Sequence, residues 1–279
     1  MILIFGKTGQ VARALADLSP DAIFLDRAGA DLTNPAACAA AIFAHKPAVV
    51  INAAAYTAVD AAEADPETAF AVNRDAPAAM AKAAAEIGAV FLHISTDYVF
   101  DGQGDAAFAP DHPCAPLSVY GDSKRAGEVA VLAAGGVAAI LRCSWVFSPY
   151  GGNFVKTMVR LAQGRTALSI VNDQIGGPTP ARAIAEALLQ MGDILRKQPD
   201  LAGIYHFSGT PDLSWADFAA EIFAQSGDQV TITPIPSRDY PTPATRPLNS
   251  RLDCETTQNA FGIARPRWRD YLAEVIKSA

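Results

Sequence analysis

Short, uniformly apolar runs recur along the first half of the chain, and each is followed by a stretch of helical pattern. The runs are Ile2–Phe5, Ala22–Leu25, Ala48–Ile51, Ala89–Ile94 and Val137–Leu141. Strands of this kind do not alternate polar with apolar residues, so they are buried on both faces, as in parallel sheets. Parallel neighbours must be joined by crossovers, and the intervening helices supply them. The pattern predicts an α/β doubly wound parallel sheet with right-handed connections. The composition permits such a core, since 51% of the 279 residues are hydrophobic.

The first unit carries a ligand signal. Ile2–Phe5 runs straight into Gly6-Lys7-Thr8-Gly9-Gln10-Val11-Ala12, and a helical pattern follows through Val11, Leu15 and Leu18. Strand, glycine turn and helix together make a phosphate-binding loop of the Rossmann type. Gly6 permits the tight turn, Gly9 lets the backbone approach a pyrophosphate, and Ala12 is small enough for close helix packing. The helix N-terminus offers amides to the anion. Asp26 stands twenty positions after Gly6, where an acidic side chain holds a ribose 2′-hydroxyl and favours NADH. Arg27 follows directly and suits a 2′-phosphate, so NADH and NADPH both stay open. Asp31-Leu32-Thr33-Asn34-Pro35 reads as a turn and helix start, and Asp31 and Leu32 are candidates for the adenine pocket. Small residues in Asn52-Ala53-Ala54-Ala55 leave room for a ligand at the sheet's carboxyl edge.

The fourth run opens into Ser95-Thr96-Asp97-Tyr98, which puts a hydroxyl at the end of a central strand. Farther on, Tyr120 and Lys124 are four residues apart. On a helix they share one face. An ammonium beside a phenol favours phenolate, lowering the tyrosine pKa toward working pH and making it a proton donor. A helix Pro66–Ile87, bent near Pro77, is also expected. After residue 143 the pattern changes, with helices near Phe154–Gln163, Ala181–Leu195 and Arg269–Ser278 and short strands at Leu168–Val171 and Gly203–Phe207. Residues 1–143, with a returning segment at about 180–207, form the expected dinucleotide-binding domain. Residues 144–179 and 208–279 form the expected smaller substrate-binding lobe.

Net charge is −7, and no basic run stands out. This argues against a nucleic-acid or anionic-membrane partner. Cys38, Cys114, Cys143 and Cys254 show no C-x-x-C spacing, so no zinc or redox pair is expected. The chain opens on a strand pattern and has no bilayer-length apolar run, which predicts a cytoplasmic protein with reduced thiols.

The glycine turn, the Ser95-Thr96 strand end and Tyr120-x-x-x-Lys124, in that order, resemble the extended short-chain dehydrogenase/reductase family. Asn172-Asp173-Gln174 and Tyr240-Pro241-Thr242-Pro243-Ala244-Thr245-Arg246-Pro247-Leu248-Asn249-Ser250 narrow the resemblance to its members that reduce dTDP-4-dehydro-L-rhamnose. The resemblance implies hydride transfer from NADPH or NADH to the sugar C4, with Tyr120 as proton donor. Lys124 would hold the nicotinamide ribose, and Thr96 the reacting oxygen. Gly9, Gln10 and Val11 would hold the pyrophosphate, and Asp26, Asp31 and Leu32 the adenosine half. Ala55, Tyr56 and Thr57 would line the cofactor, near the backbone of Ile94. Val59, Asp97, Trp145 and Asn153 would face the sugar nucleotide. Arg246 suits either its diphosphate or a structural salt bridge. Tyr56 stands where a histidine is frequent in the family. The resemblance allows a homodimer and Mg²⁺, but the tail glutamates Glu255 and Glu274 do not mark a metal site, so none is assigned. The other readings are a nucleotide-sugar epimerase or dehydratase, and a regulatory subunit similar to that of methionine adenosyltransferase. Tyr98, where a dehydratase carries glutamate, counts against dehydration.

Overall fold

The computed structural model describes residues 1–279. Its centre is a six-stranded sheet of β1 (Ile2–Phe5), β2 (Ile23–Leu25), β3 (Val49–Asn52), β4 (Val90–Thr96), β5 (Ala138–Cys143) and β6 (Gly203–Phe207). The order is β6-β5-β4-β3-β1-β2, and every pairing is parallel. Both faces are buried, as the unalternating runs require. Ile4, Ile51, Leu92 and Leu141 pack under α1 (Gln10–Leu18) and α5 (Ala181–Leu195). Leu3, Phe5, Val50, Phe91 and Ile140 pack under α2 (Pro35–His45) and α3 (Ala76–Glu86). At roughly 1.5–3 kcal/mol per buried large side chain, these two layers hold the frame.

The chain leaves β1 in one direction for β2 and in the other for β3. That reversal opens a crevice at the strands' carboxyl ends, beside the glycine turn. The helix α4 (Val119–Ala133) starts at Ser118, whose hydroxyl accepts from Gly121 N at 3.2 Å. It delivers Tyr120 and Lys124 to the same crevice.

The helix expected over 66–87 is not uniform. A π-helical turn, Ala71–Asp75, separates Pro66–Phe70 from α3. The irregularity thus falls just before Pro77, whose missing N–H already interrupts the hydrogen-bond ladder there. The wider turn places Asn73 inward, fully buried.

A second lobe covers the carboxyl edge. Helices Phe154–Ala162, Trp215–Ser226 and Arg269–Lys277 share a core of Phe147, Val155, Met158, Phe218, Ile222 and Trp268. Strands Ala167–Val171 and Thr231–Ile235 pair in parallel beside it. A short helix, Glu255–Phe261, was not expected; Phe261 packs in the main-sheet core. The proline-rich segment near Arg246 closes on the loop after β4. Gly102 has φ +67°, and a Cβ there would stand 2.4 Å from Pro247 Cβ, so only glycine allows that approach. No helix is long and apolar enough to cross a membrane.

Candidate active site

Seven stretches of the chain converge on a cleft of about 580 Å³. The glycine turn forms one end. Gly6 has φ +99°, and a Cβ on it would meet Ala54 N at 2.9 Å. The first amides of α1, those of Gln10, Val11 and Ala12, have no backbone acceptor, and no side chain caps the helix. Unpaired amides at the positive end of a nine-residue helix suit a pyrophosphate. This end therefore fits the phosphates of a dinucleotide.

Ala55, Thr57, Val59, Ile94, Thr96, Asp97, Tyr120, Lys124 and Trp145 line the same cleft. Thr96 Oγ1 donates to Asp97 Oδ1 at 3.0 Å and accepts from Tyr98 N at 3.2 Å. Tyr98 meets Tyr120 edge-on, with ring centres 5.5 Å apart. Lys124 Nζ donates to the Ile94 carbonyl at 2.7 Å and lies 3.2 Å from His93 Nε2.

The electrostatics differ from expectation at Tyr120. Burial raises its phenol well above the ordinary range, the Thr96 hydroxyl opposes that, and Lys124 is not among the groups that perturb it. The expected lowering by a neighbouring ammonium is therefore absent; Lys124 is turned to Ile94 and His93 instead. Burial lowers Lys124 itself to about 8. It raises Asp97 to about 6, against the pull of the Ser250 and Thr96 hydroxyls. Asp97 Oδ2 has no hydrogen-bond partner, and neither has Ser95 Oγ. In a buried setting such atoms mark places where an incoming polar ligand is welcome.

Several expected residues sit elsewhere. Asn153 does not line the cleft: it caps a helix by accepting from Lys156 N at 3.2 Å, and it donates to Gln10 Oε1 at 3.1 Å. Gln10 also accepts from Ser148 Oγ at 2.8 Å, so the 148–153 loop is tied to the glycine turn. Asp26 Oδ1 accepts from Ala28 N and Gly29 N at 3.1 and 3.0 Å. Asp31 Oδ1 accepts from Thr33 N and Thr33 Oγ1, both at 2.9 Å. Both carboxylates thus serve local turns. Leu32 packs against the lower core. Tyr56 is held by its backbone: its N donates to Asn73 Oδ1 at 2.8 Å, and its O accepts from Asn73 Nδ2 at 3.1 Å. Arg246 forms a two-pronged pair with Asp60, at 3.0 and 2.8 Å. No group of three or more His, Cys, Asp or Glu side chains is placed to hold a metal.

A second cavity of about 810 Å³ adjoins the first, sharing Tyr98 and Trp215 with it. Phe154, Arg165 and Arg246 also line it. Trp145 and Trp215 stack with ring centres 3.5 Å apart, forming a wall between the two spaces. Trp145 has φ +48°, a strained conformation of the kind kept at ligand sites. Trp215, Asn73 and His93 were not singled out from the sequence. For His93 there was a signal, since an imidazole inside an otherwise apolar buried strand needs a partner.

Comparison with known proteins gives a consistent result. The family model described as the RmlD substrate binding domain matches residues 1–279. A dTDP-4-dehydrorhamnose reductase of Sinorhizobium fredii is 44% identical over 278 residues, covering 96% of this chain and 94% of the relative. The crystal structure of a dTDP-4-dehydrorhamnose reductase from Clostridium acetobutylicum superposes with a TM-score of 0.93 at 35% identity, covering 99% of this chain and 98% of that one. The Bacillus anthracis enzyme of the same name, in complex with NADP, gives 0.91 at 33% identity, with 100% and 99% covered.

Proposed function

The chain belongs to the RmlD substrate binding domain family, among the dTDP-4-dehydrorhamnose reductases, and on that premise we propose that Thr96, Tyr120 and Lys124 carry its reaction. The reaction is reduction of dTDP-4-dehydro-L-rhamnose to dTDP-L-rhamnose, with NADPH or NADH as reductant. The observation that carries the residue assignment is the meeting of these three side chains with the glycine turn in one cleft.

Reduced nicotinamide, when bound, supplies the hydride. The protein's own part is to hold both reactants and provide a proton. The amides of Gln10, Val11 and Ala12 take the pyrophosphate, and the Ala53–Ala55 turn lines the cofactor's path. The Thr96 hydroxyl binds the sugar O4 and stabilises charge as it develops there. The Tyr120 phenol gives its proton to that oxygen. A phenol with a raised pKa stays protonated until the alkoxide forms, which suits a donor. Lys124 holds the nicotinamide ribose. Asp97, Val59 and Trp145 face the sugar, and the second lobe (144–179 and 208–279) receives the dTDP part. Arg246 and Arg165 border the second cavity and suit a diphosphate. Asp26 uses only Oδ1 in its own turn, which leaves Oδ2 for a ribose hydroxyl, and the Arg27 side chain, 82% exposed, suits a 2′-phosphate, so either cofactor is accommodated.

The test is direct. Purified protein mixed with dTDP-4-dehydro-L-rhamnose should consume NADPH or NADH absorbance; no turnover with either would sink this reading.

A further inference from the structure

Beneath the cleft a chain of hydrogen bonds runs from the Ala54 amide to Lys124. Ala54 N donates to Asn52 Oδ1 at 3.1 Å. Asn52 Nδ2 stands 3.1 Å from His93 Nδ1, and His93 Nε2 stands 3.2 Å from Lys124 Nζ, which also donates to the Ile94 carbonyl at 2.7 Å. Asn52 and His93 are fully buried, and Lys124 is 2% exposed. Asn52 and His93 are register partners on neighbouring strands, so their contact is built into the sheet.

The donor inventory gives this chain a direction. A backbone amide can only donate, so Asn52 must present its oxygen to Ala54. Its NH₂ then faces His93, and Nδ1 must accept. Neutral imidazole carries one proton, which is left on Nε2 and points at Lys124. The amine must therefore offer its lone pair there, and it does so only when Lys124 is neutral. A charged Lys124 has no lone pair. Nε2 would then have to accept, Nδ1 would carry the proton, and Asn52 would have to turn its oxygen to His93. Its NH₂ would then face the Ala54 amide, donor against donor. Lys124 and Ala54 cannot both be satisfied while Lys124 is charged.

We propose that His93 and Asn52 form a proton-coupled switch that ties the charge of Lys124 to the Ala53–Ala55 turn of the cleft. Neutral Lys124 locks the turn through Asn52; charged Lys124 releases it. His93 and Asn52 are positioning residues, acting through groups that meet the cofactor. That consequence rests on the assignment of the cleft above, but the hydrogen-bond argument does not.

The surroundings leave the switch to this chain. Glu128, one turn along α4 from Lys124, is bonded to Arg142 and Arg125. Cys143 faces from β5, and burial keeps its thiol protonated. Asp97 faces Tyr120 and Cys143. His93 remains neutral, because burial and Lys124 hold it well below its ordinary value. Lys124, lowered to about 8, changes charge within ordinary pH.

The test uses the whole chain without cofactor, so it stays separate from turnover. The Lys124 side-chain and Ala54 amide resonances are followed by NMR from about pH 6 to pH 10. Both should titrate with one midpoint. In His93→Gln, whose carbonyl accepts from an ammonium, the Lys124 midpoint should rise by about one pH unit or more, and Ala54 should stop responding. Asn52→Asp supplies acceptors to both Ala54 N and His93 Nδ1–H, so its midpoint should rise as well. A flat Ala54 resonance while Lys124 titrates in the unsubstituted protein would overturn the switch, whether or not either variant folds. So would an unmoved midpoint in either folded variant.

Discussion

Two basic side chains are buried in the same half of the molecule, Lys124 in the cleft wall and Arg142 on β5, and they are treated in opposite ways. Arg142 on β5 is 1% exposed. Its Nε and Nη2 donate to the two oxygens of Glu128 at 2.8 and 2.7 Å, and Nη1 donates to the Pro110 carbonyl at 3.1 Å. Its guanidinium also stands over the Phe100 ring at 5.0 Å. Burial works against its charge, and Glu128 more than offsets that. Lys124 is buried to the same degree but has no carboxylate of its own; it is left with a carbonyl and an imidazole. A fully paired charge is fixed and serves the frame. An unpaired one is labile, and lability is what a site moving protons can use.

The largest effect should come from breaking the paired cation. Arg142→Met leaves Glu128 buried with only Arg125 for a partner, and should cost about 3–5 kcal/mol, read as a lowered urea midpoint. Lys124→Met removes a charge that has no counter-ion, so it should leave the midpoint unchanged or raised while abolishing turnover. Equal destabilisation by the two substitutions would erase the distinction.

Next in size is the proton donor beside Lys124. Tyr120→Phe should slow hydride transfer by a factor on the order of 100 or more. Cofactor binding, measured by fluorescence titration, should persist, because the glycine turn is untouched. Near-normal turnover would remove Tyr120 from the role.

A buried acid sharpens the comparison from the other side. Asp97 is 2% exposed, and its pKa is raised from 3.8 to about 6. The fold therefore favours the protonated form. That stabilisation is complete below the unfolded value and is lost as pH rises through the folded one. Asp97→Asn mimics the protonated acid. It should gain about 1–3 kcal/mol over the unsubstituted chain at about pH 8 and almost nothing at about pH 4. An equal gain at both pH values would mean the carboxylate is not what burial strains.

The frame was readable because strand burial and glycine turns are local properties. The unalternating runs announced a sheet buried on both faces, and Gly6 and Gly9 announced the turn. Helical spacing put Tyr120 and Lys124 on one face, and the glycine turn and Thr96 in the same chain singled the pair out. What surrounds Lys124 was not legible, because it depends on the register of separate strands. Asn52 and His93 are forty-one residues apart and meet only because β3 and β4 align them. Glu128 with Arg142, and Trp145 with Trp215, likewise meet only through the packing of separate elements. Asp26 and Asp31 were picked out by position alone, and the structure adds what position could not show: in each, Oδ1 is engaged by its own turn.

The smallest effect belongs to a third cation, at the rim of the second cavity. Arg246 pairs with Asp60 as geometrically well as Arg142 pairs with Glu128, but the two side chains are 25% and 39% exposed. Water screens such a pair, so Asp60→Ala should cost only about 0.5–1 kcal/mol. The Arg246 hydrogen bond is the main cause that lowers the Asp60 pKa. That stability is therefore present above the usual carboxylate range and fades as pH falls through it. The gap between Asp60→Ala and the unsubstituted chain should close below about pH 4. Substrate kinetics separate the two roles open to Arg246. If it grips the diphosphate, Arg246→Ala raises KM for the dTDP-sugar, whereas Asp60→Ala, which frees the guanidinium, does not. If the pair only braces the rim, both substitutions move KM together. Depth would then be the whole difference between the two arginine pairs.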